Sequence, residues 1–148
     1  METVLESHLG YWLRYVSNSV SGAFARKLEA RGVSVAEWVA MQLIRSQPAA
    51  TITSIADETG MTRGAISKLA ARLEEKGLIR RQRSVNDGRI QPLALTPKGS
   101  RLLPVLTALA AQNDSEFFAH LTSADRENLE RILRDVVKHN HLAGVPVE

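Results

Sequence analysis

Apolar residues recur every three or four positions along the N-terminal stretch. Leu5, Leu9, Leu13, Val16, Val20, Phe24 and Leu28 share one stripe, the mark of an amphipathic helix, and Arg31-Gly32 ends it. Ser34 and Glu37 have the spacing of a capping box, which starts a second helix carrying Trp38, Met41, Leu43 and Ile44 and stopping near Gln47-Pro48. Residues 52–73, ITSIADETGMTRGAISKLAARL, give two short helices joined at Gly60. After Gly77 the helical period gives way to two short strand candidates, 78–83 and 90–96, around the turn cluster Asn86-Asp87-Gly88. Thr96 and Pro97 open a long helix with Leu102, Leu106, Leu109 and Phe117 in register, which Pro104 either kinks or divides. A last helix, about 123–139, carries Leu129, Ile132, Leu133, Val136 and Val137 on one stripe, with Glu127–Arg131 and Glu130–Arg134 as exposed pairs.

These elements predict a mainly α fold with a small β-hairpin wing. A winged helix-turn-helix lobe, about 34–96, is flanked by helices over about 3–31 and 97–142, and 1–148 forms a single domain. Within the lobe, Ala56 lies where two helices cross most closely and Gly60 where a tight turn calls for positive φ. Ile55, Ile66 and Leu69 supply the apolar contacts between them.

The second helix of that pair suits a double-stranded DNA groove. Thr62 is its expected N-cap, and at about 100° per residue Ala65, Ile66, Leu69 and Leu73 face inward. The opposite face carries Gly64, Ser67, Lys68 and Ala71, with Arg63 and Arg72 on its flanks. Small residues in the middle let a backbone lie deep in the major groove, where Ser67 can bond a base or phosphate and the flanking cations can reach base edges or backbone. An ordinary solvated helix face is the alternative, against which the flanking motif argues. In the wing, Arg83 lies on the first strand and Arg89 beside the hairpin tip, where a cation can enter the narrow minor groove. Asp87 cannot meet phosphate. It either orients Arg89 or Arg83 by a charge-assisted hydrogen bond or initiates the turn.

The stretch LEEKGLIRRQRSVNDGRIQPLALTPKG resembles the hallmark of the MarR (multiple antibiotic resistance regulator) family: a Leu-Glu-x-x-Gly helix end, Asp87 and Arg89 as the Asp-x-Arg of a wing tip, and Leu95, Thr96 and Gly99 as a closing Leu-Thr-x-x-Gly. The match is strong over 52–99. Gly88 replaces a residue often charged in the family, and Pro92 removes a donor from the second strand, so the wing is expected to be shorter or more mobile than usual. The resemblance implies a homodimer built from the first helix and the last two, a pseudo-palindromic operator, and a small, possibly anionic aromatic effector held between the dimer helices and the winged lobe. Tyr11, Trp12, Tyr15 and Trp38 either line such a cleft or pack in the core and dimer interface.

Composition narrows the classes further. The net charge is only +3 over 148 residues, but its distribution is uneven. Between Arg63 and Arg101 stand ten Lys and Arg against Glu74, Glu75 and Asp87, a balance of +7 that leaves −4 for the rest. A basic centre between acidic flanks fits one phosphate-binding surface. The chain has no cysteine, which excludes disulfides, thiol redox sensing and Cys-ligated zinc. No run approaches the ~20 apolar residues of a membrane span, and METVLESHLGYW lacks the order of a signal peptide, so a cytoplasmic location is expected. His139 and His141 face different ways on a helix, and neither they nor His8 and His120 form a recognisable metal set. No nucleophile elbow or phosphate-binding Gly loop supports an enzyme, and no cofactor is expected. The leading expectation is therefore a sequence-specific transcriptional regulator, most simply a repressor. The alternative is a winged-helix protein-interaction module, against which the small, cationic helix face argues.

Overall fold

A computed structural model describes residues 3–82 and 91–148. A single 3-10 turn, Leu5–Ser7, precedes α1 (Leu9–Glu29), α2 (Val35–Ser46), α3 (Ile52–Thr59), α4 (Arg63–Glu75), β1 (Ile79–Arg81), β2 (Leu93–Leu95), α5 (Pro97–Phe118) and α6 (Ser123–His139). The sequence period carries the first helix back to Leu5, but His8, with φ −108° and ψ 128°, breaks it there. α1 therefore starts at Leu9.

The core lies in the lobe formed by α2, α3, α4 and the strands, closed by the end of α1 and the start of α5. Leu28, Met41, Ile55, Ile66, Leu69, Leu73, Leu103 and Leu106 are its largest fully buried side chains. Leu102, placed inward by the sequence pattern, is only half-buried, and Leu103 takes the central position. Pro104 neither divides nor ends α5, which runs unbroken through it. Pro104 and Ser100, whose carbonyl loses its helical donor, both lie on the exposed side.

β1 and β2 pair antiparallel, with Ile79 opposite Leu95 and Arg81 opposite Leu93. Pro92 falls just outside β2, opposite Gln82: its carbonyl accepts from the Gln82 N–H at 2.7 Å, but it has no N–H to return to the Gln82 carbonyl, so the ladder loses a bond there. The Leu93 N–H turns the other way and donates to the Ala50 carbonyl at 2.7 Å. That bond fastens the wing base to the α2–α3 connection.

The two halves of the MarR-like motif meet in space. The Thr96 hydroxyl donates to the Gly77 carbonyl at 2.5 Å and accepts from the Gly99 N–H at 3.1 Å, so one side chain caps α5 and holds the end of α4. At Gly99 a Cβ would stand 2.1 Å from the Leu78 carbonyl oxygen. Glycine is required there because one backbone lies directly on another.

A buried network fixes how α1 crosses α5. Asn113, 3% exposed, donates from Nδ2 to the Val20 carbonyl at 3.1 Å and accepts from Lys27 Nζ at 2.9 Å. Lys27 also bonds Glu116 at 2.8 Å, and bonds from Lys27 and Gln112 hold the Glu116 carboxyl below its ordinary pKa. With every polar group satisfied, such a network specifies one register.

Candidate nucleic-acid interface

The α3–α4 turn is bonded throughout. Thr51 caps α3 in a capping box whose third position is Ser54 instead of the usual Glu or Gln. At the far end Gly60 adopts φ 75° and donates to the Ala56 carbonyl at 2.9 Å. The Thr59 hydroxyl donates to the Ile55 carbonyl at 2.8 Å and accepts from the Met61 N–H at 3.2 Å. Thr62 accepts from the Ala65 N–H at 3.1 Å, the expected N-cap. With these donors satisfied, α4 leaves the turn at a fixed angle.

The faces of α4 fall largely where the sequence period puts them. Ile66, Leu69 and Leu73 are buried; Ala65 is only half-buried, and Ala70 takes the inward place beside Leu69. Thr62, Arg63, Gly64, Ser67, Lys68, Ala71 and Arg72 are all exposed. Among the described residues no carboxylate lies within 4.0 Å of Arg63, Lys68 or Arg72. Their charges are open to an incoming polyanion.

Not every cation in the basic centre is available in this way. Lys76 Nζ donates to both carboxylate oxygens of Glu37 at 2.7 and 2.9 Å and to the Gly32 carbonyl at 2.8 Å, tying the end of α4 to the start of α2. Arg81 pairs with Glu74 at 2.7 Å, and Lys98 Nζ donates to the Lys76 carbonyl at 2.9 Å. These three structural roles correct the simple charge count. Burial, the largest single influence on Glu37, raises its carboxyl pKa, but the bonds from Lys76 and Ser34 and the Lys76 charge together outweigh it, leaving the group below its ordinary value. Arg83, Asp87 and Arg89 lie outside the described residues.

The outer helices present a second surface. The sequence stripes predict buried faces, yet within one chain Leu9 is 82% exposed, Leu13 52% and Ile132 50%, and α6 buries no residue. A groove of about 900 Å³ runs between them, its walls including Leu13, Val16, Phe117, Leu129 and Leu133.

The four candidate aromatics divide into two groups. Trp12 and Tyr15 line this groove, and Tyr11 packs edge-on to both, with ring centroids 5.1 and 5.9 Å away. Trp38 instead meets Phe24 edge-on at 5.1 Å, on the flank of the lobe core. Its Nε1 is buried with no hydrogen-bond partner among the described residues.

This winged helix between helical flanks can be compared with known proteins. The MarR family model, described as "MarR family", matches residues 33–90. The chain resembles the MarR family over this stretch. It is 29% identical, over 92% of its length and 82% of the relative, to a putative transcriptional regulatory protein for the hcr operon of Thauera aromatica. Another relative is an HTH-type transcriptional repressor of Mycobacterium bovis, 26% identical over 86% of this chain and 92% of that one. Among solved structures, CouR from Rhodococcus jostii bound to p-coumaroyl-CoA superposes with a TM-score of 0.76 at 24% identity, covering 91% of this chain and 95% of that one. The S. aureus MepR–DNA complex superposes at 0.75 and 21%, covering 90% and 97%. The shared fold is a winged helix-turn-helix carried by long helices, and among the described residues no helix is long and apolar enough to cross a membrane.

Proposed function

We propose that this MarR-like protein is a homodimeric, sequence-specific DNA-binding repressor of the cytoplasm rather than an enzyme or a protein-interaction module. The observation that carries the reading is the outward face of α4, with its small centre, its three cations free of carboxylate partners among the described residues, and its rigidly bonded entry. Such a face lays a backbone against a groove and leaves Arg63, Lys68 and Arg72 for base edges and phosphates, whereas a protein-docking face is richer in large apolar side chains. The names of the two relatives, one a regulatory protein and one a repressor, support the same reading. So does the neighbour crystallised with DNA.

In this scheme Thr62, Arg63, Gly64 and Ser67 meet the major groove, and Lys68, Arg72 and Arg83 meet mainly phosphate. Arg89 enters the minor groove and Asp87 orients it. The exposed stripes of α1 and α6 cover one another in a two-fold dimer, which sets two α4 helices about one DNA turn apart, ~10 base pairs. A small anionic aromatic molecule modulates the affinity. The buried Trp38 Nε1–H, without a partner among the described residues, supports a ligand acceptor near that ring, and the neighbour holding p-coumaroyl-CoA supports the class of ligand.

Selection of bound duplexes from a random-sequence pool tests the proposal. The expected product is a palindromic consensus that survives excess nonspecific competitor. A pool that stays random after repeated rounds contradicts sequence-specific binding.

A further inference from the structure

Among the described residues α6 is anchored at its ends and open along its length. Near its start Arg126 pairs with Asp114, and grooves lie on both sides of it, with Leu129 and Leu133 lining each. Beyond its last turn the chain reverses. The Leu142 N–H donates to the Val137 carbonyl at 3.0 Å, with His141 at φ 51° in the left-handed position that usually falls to glycine.

The chain then passes through Gly144 at φ 91°, and the Val145 N–H donates to the Glu58 carbonyl at 2.9 Å. Glu58 stands in the last turn of α3, where carbonyls have no donor ahead of them in the helix. Gly60 already serves Ala56 and the Thr59 side chain serves Ile55, so the Val145 amide fills a remaining acceptor. At Gly144 a Cβ would meet the Thr59 carbonyl oxygen at 3.3 Å, on a backbone angle that side chains rarely adopt. The approach depends on glycine.

We propose that the segment 141–148 is a clasp that pins the end of the outer helix α6 to α3 and so aligns the α3–α4 reading head with the dimer layer. Glu58 lies two residues before Gly60, where the rigid turn into α4 begins. Any displacement of α6 by a partner subunit is therefore relayed to the entry of the recognition helix. The clasp is a matter of geometry alone; its effect on affinity rests on the DNA-binding reading.

Amide hydrogen exchange, resolved to single residues on the full chain, tests it with Gly144→Val, which disfavours the turn, and Val145→Pro, which removes the donor. In the wild type the Val145 amide should exchange about tenfold or more slower than an unstructured amide. Both variants should speed exchange at Gly60 and Met61 and leave the dimer intact by sedimentation. Both should also weaken binding to the duplex selected by the wild type by about fivefold, the scale of one backbone hydrogen bond. An unprotected Val145 amide in the wild type overturns the clasp. Faster exchange at Gly60 and Met61 with unchanged duplex affinity overturns its coupling to DNA. If the wild type selects no duplex, the DNA-binding reading fails by itself, and exchange at Gly60 and Met61 still decides whether the clasp holds α3.

Discussion

Gly64 separates what the fold needs from what the partner needs. It is the second residue of α4, exposed, and a Cβ built on it meets nothing within 4 Å. Glycine in a helix costs about 0.5–1 kcal/mol relative to alanine, and the lower figure suits a first-turn position. Gly64→Ala should therefore stabilise the free protein by about 0.5 kcal/mol, raising Tm by roughly 1–3 °C. Bound to DNA, the same methyl group would stand between the α4 backbone and the groove. Overpacking a close interface costs about 1–3 kcal/mol, or roughly 5- to 150-fold in Kd. Thermal unfolding and fluorescence anisotropy on the selected duplex read the two effects separately. A variant that is more stable and binds as tightly as the wild type would refute the insertion of this face, and a less stable variant would refute the open surroundings of Gly64.

Three further outcomes are expected. Arg63→Ala should relax sequence preference at particular positions by ~1–3 kcal/mol, whereas Arg83→Ala should weaken binding to every sequence and lower the salt slope by about one; equal losses for Arg63→Ala on operator and random DNA would contradict its role. Arg89→Ala should lower affinity and shrink any A·T preference at the outer edges of the site, with stability within ~0.5 kcal/mol, as binding and thermal unfolding together would read. Glu37→Gln keeps the cap but removes the charge facing Lys76, and should cost about 1–2 kcal/mol at neutral pH. Because the folded Glu37 pKa lies below its ordinary 4.5, this contribution is present above that value and is lost as pH falls through the lowered one. Denaturant unfolding should therefore show wild type and variant converging in acid.

What the sequence discloses about this protein is mostly what lies within a few residues of itself. The α4 faces, the Ser34–Glu37 box, the Thr62 cap and the turn at Gly60 each depend on spacings of two to four, and the structure reproduces them apart from the exchange of Ala65 for Ala70. Interactions between distant segments leave no such period. Glu37 and Lys76 are 39 positions apart, and Lys27 and Asn113 are 86 apart, so Lys76 reads as one more DNA-facing cation until the fold brings the carboxylate to it. Periodicity also marks a face as apolar without saying what covers it. Leu9, Leu13 and Ile132 stay exposed among the described residues. The return of Val145 to Glu58 is made by backbone groups alone, which no side-chain pattern announces.

The central claim is that two chains joined through α1 and α6 read two half-sites with two α4 helices. Sedimentation equilibrium of the protein with the selected duplex, at micromolar concentration and physiological salt, measures it directly. We predict two chains per duplex, a dimer in the absence of DNA, and loss of both when Ile132→Asp and Leu133→Asp are combined on the exposed α6 stripe. A monomer that binds a single half-site with undiminished affinity and specificity would contradict it.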